Sequence, residues 1–310
     1  MQANTSLFFI GGFRSGTTLL INLLGLHEDV SAWFEAKFLV EALRWMRVIR
    51  APEQAVMEEP LVLPPQPEGF SLDAVSTRIR TQMLSDIARM DGSLATGKAS
   101  HEKFAIGADR ILFTQDQALS ALATWQSRIG AIASTTPILE LAFHNFFWTL
   151  ANYHLEVDPA PLLVNKTPEI TRFGKELRKC VGQHKTVMLI RDGRQVALSS
   201  SALGWADATT MANLWCRLII EAREAAVGAE DDYLEIRYED LISNPVQILN
   251  RVCSHLGIAE KGSQIVETYE KLGIKISNNP YPRTVNQQSL ATSEFDENVL
   301  TMLSELGYVG

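Results

Sequence analysis

Short apolar runs, each followed by a turn and a helical pattern, recur along the chain. Runs of this length are typical of strands buried in a parallel sheet, and their alternation with helices predicts an α/β fold. The four predicted strands are Leu7–Ile10, Leu162–Val164, Thr186–Ile190 and Tyr233–Ile236. Because ligands of such sheets bind at the carboxyl ends of the strands, the residues after each run are the first place to search for chemistry.

The stretch between the first two predicted strands is long and helical in pattern. Residues 51–70 contain five prolines, which argue against a regular element there, and the polar residues 91–102 are expected to form a loop. We expect one domain over residues 1–310, with a helical insertion at 36–155 after the first βα unit. The predicted helices are Ala32–Arg50, Leu72–Met90, Thr114–Ile129, Ile138–Leu155, Val246–Leu256, Gly262–Lys271 and Glu294–Leu306.

Composition and charge narrow the classes of function. The chain has 310 residues, 46% of them hydrophobic and 21% charged, which is typical of a globular protein. Its net charge of −8 argues against a general nucleic-acid-binding surface. The three cysteines lack CxxC spacing, which argues against a zinc site or a disulfide framework. We see no long apolar run or leader-like segment, so we expect a cytoplasmic protein without a membrane span.

The first predicted strand runs into a glycine-containing turn and then an amphipathic helix. The turn, Gly11–Thr18, reads GGFRSGTT. A turn of this kind directs backbone N–H groups and a helix N-terminus at one point, which makes an anion site. The spacing matches the nucleotide-binding motif GxxxxGK[ST], but Thr17 takes the place of the lysine, which argues against ATP or GTP hydrolysis. The alternative to an anion site is a tight turn with a purely structural role, before a helix with a capped N-terminus.

A second candidate anion site follows the third predicted strand. Arg191 comes at the end of that strand, and Ser199 comes eight residues later, about two turns into the next helix. Both side chains are expected near the carboxyl edge of the sheet, although a surface arginine in an Arg–Asp turn is the commoner explanation for this segment alone. Two anion sites on one sheet suggest a ligand with two separated phosphate groups.

These features together resemble the sulfotransferases that use 3′-phosphoadenosine 5′-phosphosulfate (PAPS). The resemblance implies that the loop binds the 5′-phosphosulfate and that Arg191 and Ser199 bind the 3′-phosphate. The run after the last predicted strand, RYEDL at 237–241, also resembles a segment of the family and brings Tyr238 to the cofactor. The loop residues implied to bind the cofactor are Arg14, Ser15, Gly16, Thr17 and Thr18.

The tyrosylprotein sulfotransferase branch is the most similar. In that branch a catalytic glutamate follows the loop arginine by 21 residues, which corresponds here to Glu35, and an Asn-Lys-x-Pro lysine corresponds to Lys166. A serine nine residues before an asparagine corresponds to catalytic Ser277 and cofactor-binding Asn286. One further arginine of the branch is replaced by Leu203 here. By its local pattern alone, Glu35 would be a surface carboxylate in an amphipathic helix.

The resemblance implies transfer of a sulfuryl group from PAPS to a hydroxyl or amine, with adenosine 3′,5′-bisphosphate as the product and without a metal. Glu35 would be the general base, while Lys166 and Arg14 would stabilise the leaving group. The acceptor is expected to be a small molecule or a carrier-bound hydroxyl rather than a protein tyrosine. Two alternatives remain: a small-molecule kinase of related P-loop fold, and a non-catalytic nucleotide-binding protein.

Overall fold

The computed structural model describes residues 5–50, 72–95, 111–130, 136–273, 276 and 295–309. Five parallel strands form one sheet in the order β2-β3-β1-β4-β5. Strand β1 is central and pairs with β3 on one side and β4 on the other. The strands are β1 (Ser6–Gly11), β2 (Val30–Phe34), β3 (Leu162–Lys166), β4 (Lys185–Ile190) and β5 (Tyr233–Arg237).

Helices cover both faces of the sheet, as expected for a parallel sheet. They are α1 (Thr17–Leu24), α2 (Lys37–Arg50), α3 (Leu72–Ala95), α4 (Gln115–Gly130), α5 (Thr136–Val157), α6 (Gly174–Val181), α7 (Gly193–Ser201), α8 (Ala208–Ala226), α9 (Tyr238–Ser243), α10 (Pro245–Leu256), α11 (Gly262–Lys271) and α12 (Glu297–Glu305). None of these helices is both long and apolar enough to cross a membrane, within the residues that the structure describes.

Alternate residues of the central strand enter different hydrophobic clusters. Phe9 packs in the cluster formed with α2 to α6, whereas Phe8 and Ile10 pack in the cluster formed with α1, α10 and α11. Successive side chains of a strand point to opposite faces, so a strand covered on both sides must be apolar at every position. This explains why β1 reads as a continuous apolar run, and it leaves the carboxyl edge of the sheet as the place for polar side chains.

The fold class predicted from the sequence is confirmed, and all four predicted strands are present with bounds extended by one or two residues. Two details of the prediction are wrong. Residues 32–34, predicted as the start of a helix, belong to β2, and the helix that follows begins only at Lys37. Helix α3 continues to Ala95, so residues 91–95 are helical, and the rest of the loop predicted at 91–102 lies outside the described residues.

The correction at β2 changes the position of Glu35. This residue does not lie in a helix; it follows the carboxyl end of β2, whose register with β3 pairs Phe34 with Lys166. Glu35 and Lys166 therefore lie at the same edge of the sheet, on neighbouring strands. That edge is where ligands of parallel α/β sheets bind.

Candidate active site

The turn after β1 is shaped by two glycines that no other residue could replace without displacement. Gly12 has φ 105°, and a Cβ there would lie 2.0 Å from the carbonyl oxygen of Leu189. Gly16 has φ 91°, and its Cβ would lie 2.4 Å from Cδ2 of the Tyr238 ring. The turn is thus packed tightly between the ends of β4 and β5. Helix α1 follows the turn directly, and Thr17 is its first residue.

Lys166, at the end of β3, links the end of β2 to the start of α1. Its Nζ donates to Oε1 of Glu35 at 2.8 Å and lies 3.4 Å from Oγ1 of Thr18, the second residue of α1. The same ammonium lies 3.4 Å from the centroid of the Phe34 ring, a cation–π contact. Lys166 is fully buried. A buried cation beside a helix N-terminus makes a strongly electropositive point at this edge.

Backbone hydrogen bonds fix the relative positions of Glu35 and Lys166. The Glu35 N–H donates to the carbonyl oxygen of Lys166 at 2.7 Å. The next N–H, that of Ala36, donates to Oγ1 of Thr167 at 2.9 Å, and this hydroxyl in turn donates to Oδ1 of Asn165. The Asn165–Thr167 segment therefore holds the chain on both sides of Glu35, which supports a precise placement of its carboxylate.

Arg14 and Glu35 are the two non-glycine residues with positive φ in the described part of the chain, at 54° and 30°. This region disfavours residues that have a Cβ, at a cost of about 1–3 kcal/mol each. Such residues are found preferentially at functional sites, where the surrounding structure holds them. Both of these residues were singled out by the sequence.

Arg14 spans the two predicted anion sites. Its Nε and Nη2 donate to Oγ of Ser199 at 3.0 and 2.9 Å. Nη1 of Arg191 lies 3.4 Å from the carbonyl oxygen of Arg14, and the Arg191 guanidinium lies 4.8 Å from the centroid of the Tyr238 ring. The structure therefore brings Arg14, Arg191, Ser199 and Tyr238 together at this edge, and it joins Arg14 of the first predicted anion site to Ser199 of the second.

The other predicted loop residues differ in exposure. Ser15 and Thr17 are buried, and the Ser15 hydroxyl donates to the carbonyl oxygen of Phe13 at 3.1 Å. Thr18 faces Lys166 as described above. The Ser277 and Asn286 predictions lie outside the described residues. Leu203, which replaces an arginine of the resembling branch, is 47% exposed and carries no charge that could contact an anion.

Three residues near the site were not predicted as site residues from the sequence. Nζ of Lys37 lies 3.6 Å from Oε2 of Glu35, so a second ammonium faces the same carboxylate. Glu239 accepts a hydrogen bond from the backbone N–H of Asp192, and its other oxygen accepts one from Tyr308. Lys37 could have been found from its place two residues after Glu35, but the Tyr308 contact joins residues too distant in sequence for any local pattern.

The residues present fit a nucleotide with two separate anionic groups, such as PAPS. Two guanidinium groups and a buried ammonium lie along one sheet edge with a glycine turn, in a chain whose net charge is −8. A local concentration of cations in an acidic protein favours anion binding at that place. Among the described residues, no group of His, Cys, Asp and Glu is arranged to hold a metal ion.

Comparisons with solved structures show which folds this chain resembles. The fold resembles the sulfotransferase domain of the Synechococcus PCC 7002 olefin synthase, with 15% identity, a TM-score of 0.51, and coverage of 99% of this chain and 96% of that domain. It also resembles the sulfotransferase domain from the curacin biosynthetic pathway, with 15% identity, a TM-score of 0.50, and coverage of 100% and 99%. Comparison with curated protein sequences finds no match.

The sequence itself carries a family signature. Residues 106–261, half of the chain, match the pattern of the sulfotransferase family. The matched segment includes Lys166, Arg191, Ser199 and Tyr238, whereas the phosphate loop and Glu35 precede it. With the fold and this match together, the chain belongs to the sulfotransferase family.

Proposed function

We propose that this chain transfers a sulfuryl group from PAPS to a hydroxyl (or amine) acceptor. The observation that carries the proposal is the position of the Lys166 ammonium, which lies between the Glu35 carboxylate and the start of α1. This places a cation beside the turn built for a phosphate and beside a carboxylate suited to accept a proton. A protein that only binds an anion needs the cation but does not need the carboxylate.

The donor end of the site is assigned to two sets of residues. The turn Gly12–Thr18 and Arg14 hold the 5′-phosphosulfate, and Arg191, Ser199 and Tyr238 hold the 3′-phosphate and its surroundings. PAPS, when bound, supplies the activated sulfuryl group. Lys166 and the N–H groups of the turn offset the negative charge that grows on the departing phosphate oxygen, as preorganised donors do in related transfers.

Glu35 accepts the proton of the attacking hydroxyl. A carboxylate held within hydrogen-bond reach of the reacting group contributes typically about 100-fold or more as a general base. Its side chain is 14% exposed, so an acceptor can reach it, while Lys166 is shielded on the inner side. Ser277 and Asn286, which the resemblance adds to the site, remain predictions. The acceptor is proposed to be a small molecule or a carrier-bound hydroxyl.

Turnover with sulfur-labelled PAPS tests the proposal. The purified chain is incubated with phenols, sugars, aliphatic alcohols and tyrosine peptides, and labelled product and adenosine 3′,5′-bisphosphate are measured together. We expect transfer to at least one acceptor class, without added magnesium. In parallel, calorimetric titration compares adenosine 3′,5′-bisphosphate with ADP and Mg²⁺. Preference for ADP–Mg²⁺ would indicate a kinase, and bisphosphate binding without transfer to any class would indicate a non-catalytic binding protein.

A further inference from the structure

Arg237, the last residue of β5, and the two residues after it contact several parts of the candidate site. The Arg237 guanidinium lies 4.3 Å from the centroid of the Tyr308 ring. The Tyr238 ring packs against Gly16 and under Arg191. Glu239 contacts Asp192 and Tyr308. The end of β5 therefore touches the phosphate turn, the turn after β4 and the C-terminal residues at once.

Glu239 is shared between two donors. Its Oε1 accepts the backbone N–H of Asp192 at 3.2 Å, and its Oε2 accepts the Tyr308 hydroxyl at 2.9 Å. The Asp192 N–H belongs to the peptide unit that directly follows Arg191. Because a peptide unit is planar, fixing this N–H fixes the orientation of the backbone from which the Arg191 side chain extends.

Tyr308 is itself held on three sides. Its carbonyl oxygen accepts from Nη2 of Arg194 at 3.0 Å, its ring lies against Arg237, and its hydroxyl donates to Glu239. Arg194 also forms an ion pair with Asp192, which raises the pKa of the Arg194 guanidinium. Burial raises the pKa of the Tyr308 hydroxyl, so this group keeps its proton and remains a donor.

We propose that Glu239 and Tyr308 are positioning residues for the 3′-phosphate site, acting through the peptide unit between Arg191 and Asp192. The inference rests on the proposed function, because it assumes that Arg191 contacts the 3′-phosphate. It adds that Tyr308 contributes to the recognition of PAPS without contacting PAPS itself. No local sequence pattern indicated Tyr308, and Glu239 was noted only as a member of the RYEDL run, without a role.

Binding of two nucleotides that differ only in the 3′-phosphate tests this inference. Tyr308→Phe removes the hydroxyl and keeps the ring on Arg237. We expect affinity for adenosine 3′,5′-bisphosphate to fall about 5-fold, the scale of one net hydrogen bond, with affinity for adenosine 5′-phosphate unchanged. In turnover the KM for PAPS should rise by the same factor, while kcat at saturation stays near the wild-type value.

The chain offers a matched control at the other end of β5. There the Tyr233 hydroxyl donates to Oε1 of Glu235 at 3.0 Å. This is also a tyrosine–glutamate hydrogen bond, but it lies near the amino end of β5, whereas the turns after β1 and β4 lie at the carboxyl edge of the sheet. Tyr233→Phe should leave the affinities for both nucleotides unchanged. Glu239→Gln serves as the second variant: it keeps the side-chain shape, and we expect it to weaken the bisphosphate selectively, as Tyr308→Phe does.

The effects should also be coupled. Because Glu239 and Tyr308 act through one hydrogen bond, the double variant should lose less than the product of the two single losses. Equal weakening of both nucleotides, or unchanged bisphosphate affinity in both single variants, would overturn the positioning role. If instead the wild-type chain does not prefer the bisphosphate over adenosine 5′-phosphate, the proposed function fails first and this inference fails with it.

Discussion

The ammonium of Lys166 and the carboxylate of Glu35 form an ion pair 2.8 Å long at the ends of two adjacent strands. Neither residue lies near the other in sequence, and the pairing arises because β2 and β3 run parallel in register. In the proposed reaction this pair must open far enough for an acceptor hydroxyl to reach the carboxylate. The second ammonium, on Lys37, lies 3.6 Å from the other carboxylate oxygen of Glu35.

The first prediction concerns Glu35. Glu35→Gln keeps the shape and the hydrogen-bonding capacity toward Lys166 but removes the proton acceptor. We expect kcat to fall about 100-fold or more, the scale of general base catalysis, with little change in the affinity for adenosine 3′,5′-bisphosphate. The measurement is steady-state turnover together with calorimetric titration of the bisphosphate.

Glu169→Gln is the matched control for that variant. Glu169 lies three residues after Lys166, and its carboxylate pairs with Arg44 outside the site. Turnover of this variant should stay near the wild-type value. Near-native turnover of Glu35→Gln, under conditions where chemistry limits the rate, would show that Glu35 is not the base.

The second prediction concerns the charge on Lys166. Lys166→Met leaves an apolar side chain of nearly the same length, and it removes the ammonium together with its cation–π contact to the Phe34 ring. Because the ammonium faces the start of α1, it should interact with the sulfate end of the donor more than with the rest of the nucleotide. We expect kcat to fall, and affinity for PAPS to fall more than affinity for adenosine 3′,5′-bisphosphate, which lacks the sulfate.

Lys185→Met provides the control for removing a lysine from the sheet. Lys185 lies at the amino end of β4 and donates to the carbonyl oxygen of His255, at the edge opposite the site. Its replacement should change stability but not the ratio of the two affinities. An equal loss of PAPS and bisphosphate affinity in Lys166→Met would contradict the assignment of Lys166 to the sulfate end.

The strands predicted from the sequence contain short apolar runs that a turn or loop follows, such as Leu7–Ile10 in β1 and Val187–Ile190 in β4. Strand β2 was not predicted because it contains the buried Ser31 and because the amphipathic helix α2 begins after only two further residues. The two elements therefore read as one helical pattern in the sequence. The resemblance, through the spacing of 21 residues from Arg14, nevertheless predicted Glu35 as a site residue. What sequence could not supply is the pairing of distant segments, above all Tyr308 with Glu239 and Arg14 with Ser199, since such contacts depend on how the helices pack.

The third prediction concerns the 3′-phosphate. Arg191→Ala should weaken adenosine 3′,5′-bisphosphate by about 1.5–3 kcal/mol, the range for a charged hydrogen bond, and should leave adenosine 5′-phosphate nearly unaffected. Arg47→Ala is the control, because Arg47 on α2 pairs with Glu176 on α6, away from the phosphate turn. Titration of both nucleotides measures the effect, and equal weakening of the two would remove Arg191 from the 3′-phosphate site.

The fourth prediction separates the side chain of Arg14 from its backbone. Arg14→Ala and Arg14→Gly both remove the hydrogen bonds to Ser199 and should weaken donor binding alike. The positive φ of 54° is costly for alanine but not for glycine. We expect the glycine variant to be more stable than the alanine variant by about 1 kcal/mol. Chemical denaturation measures this difference, and an alanine variant at least as stable as the glycine variant would show that Arg14 is not strained.

The last prediction concerns pH and His154. This side chain is fully buried and stacks on Trp33, with the ring centroids 5.9 Å apart. Burial lowers the pKa of His154 from 6.5 to about 4, so the folded chain holds the ring neutral where the unfolded chain binds a proton.

The sign of the effect on stability follows from this difference. The stability that depends on a neutral His154 is fully present above pH 6.5 and is lost as the pH falls toward 4. Between pH 7 and 4.5, the wild-type chain should therefore lose about 2 kcal/mol more of its free energy of unfolding than His154→Phe does. The variant keeps an aromatic ring against Trp33, and contributions from His184 and His255, whose pKa values burial also lowers, cancel in the comparison. Urea denaturation of both proteins at the two pH values measures the difference, and parallel losses would show that His154 does not resist protonation in the folded chain.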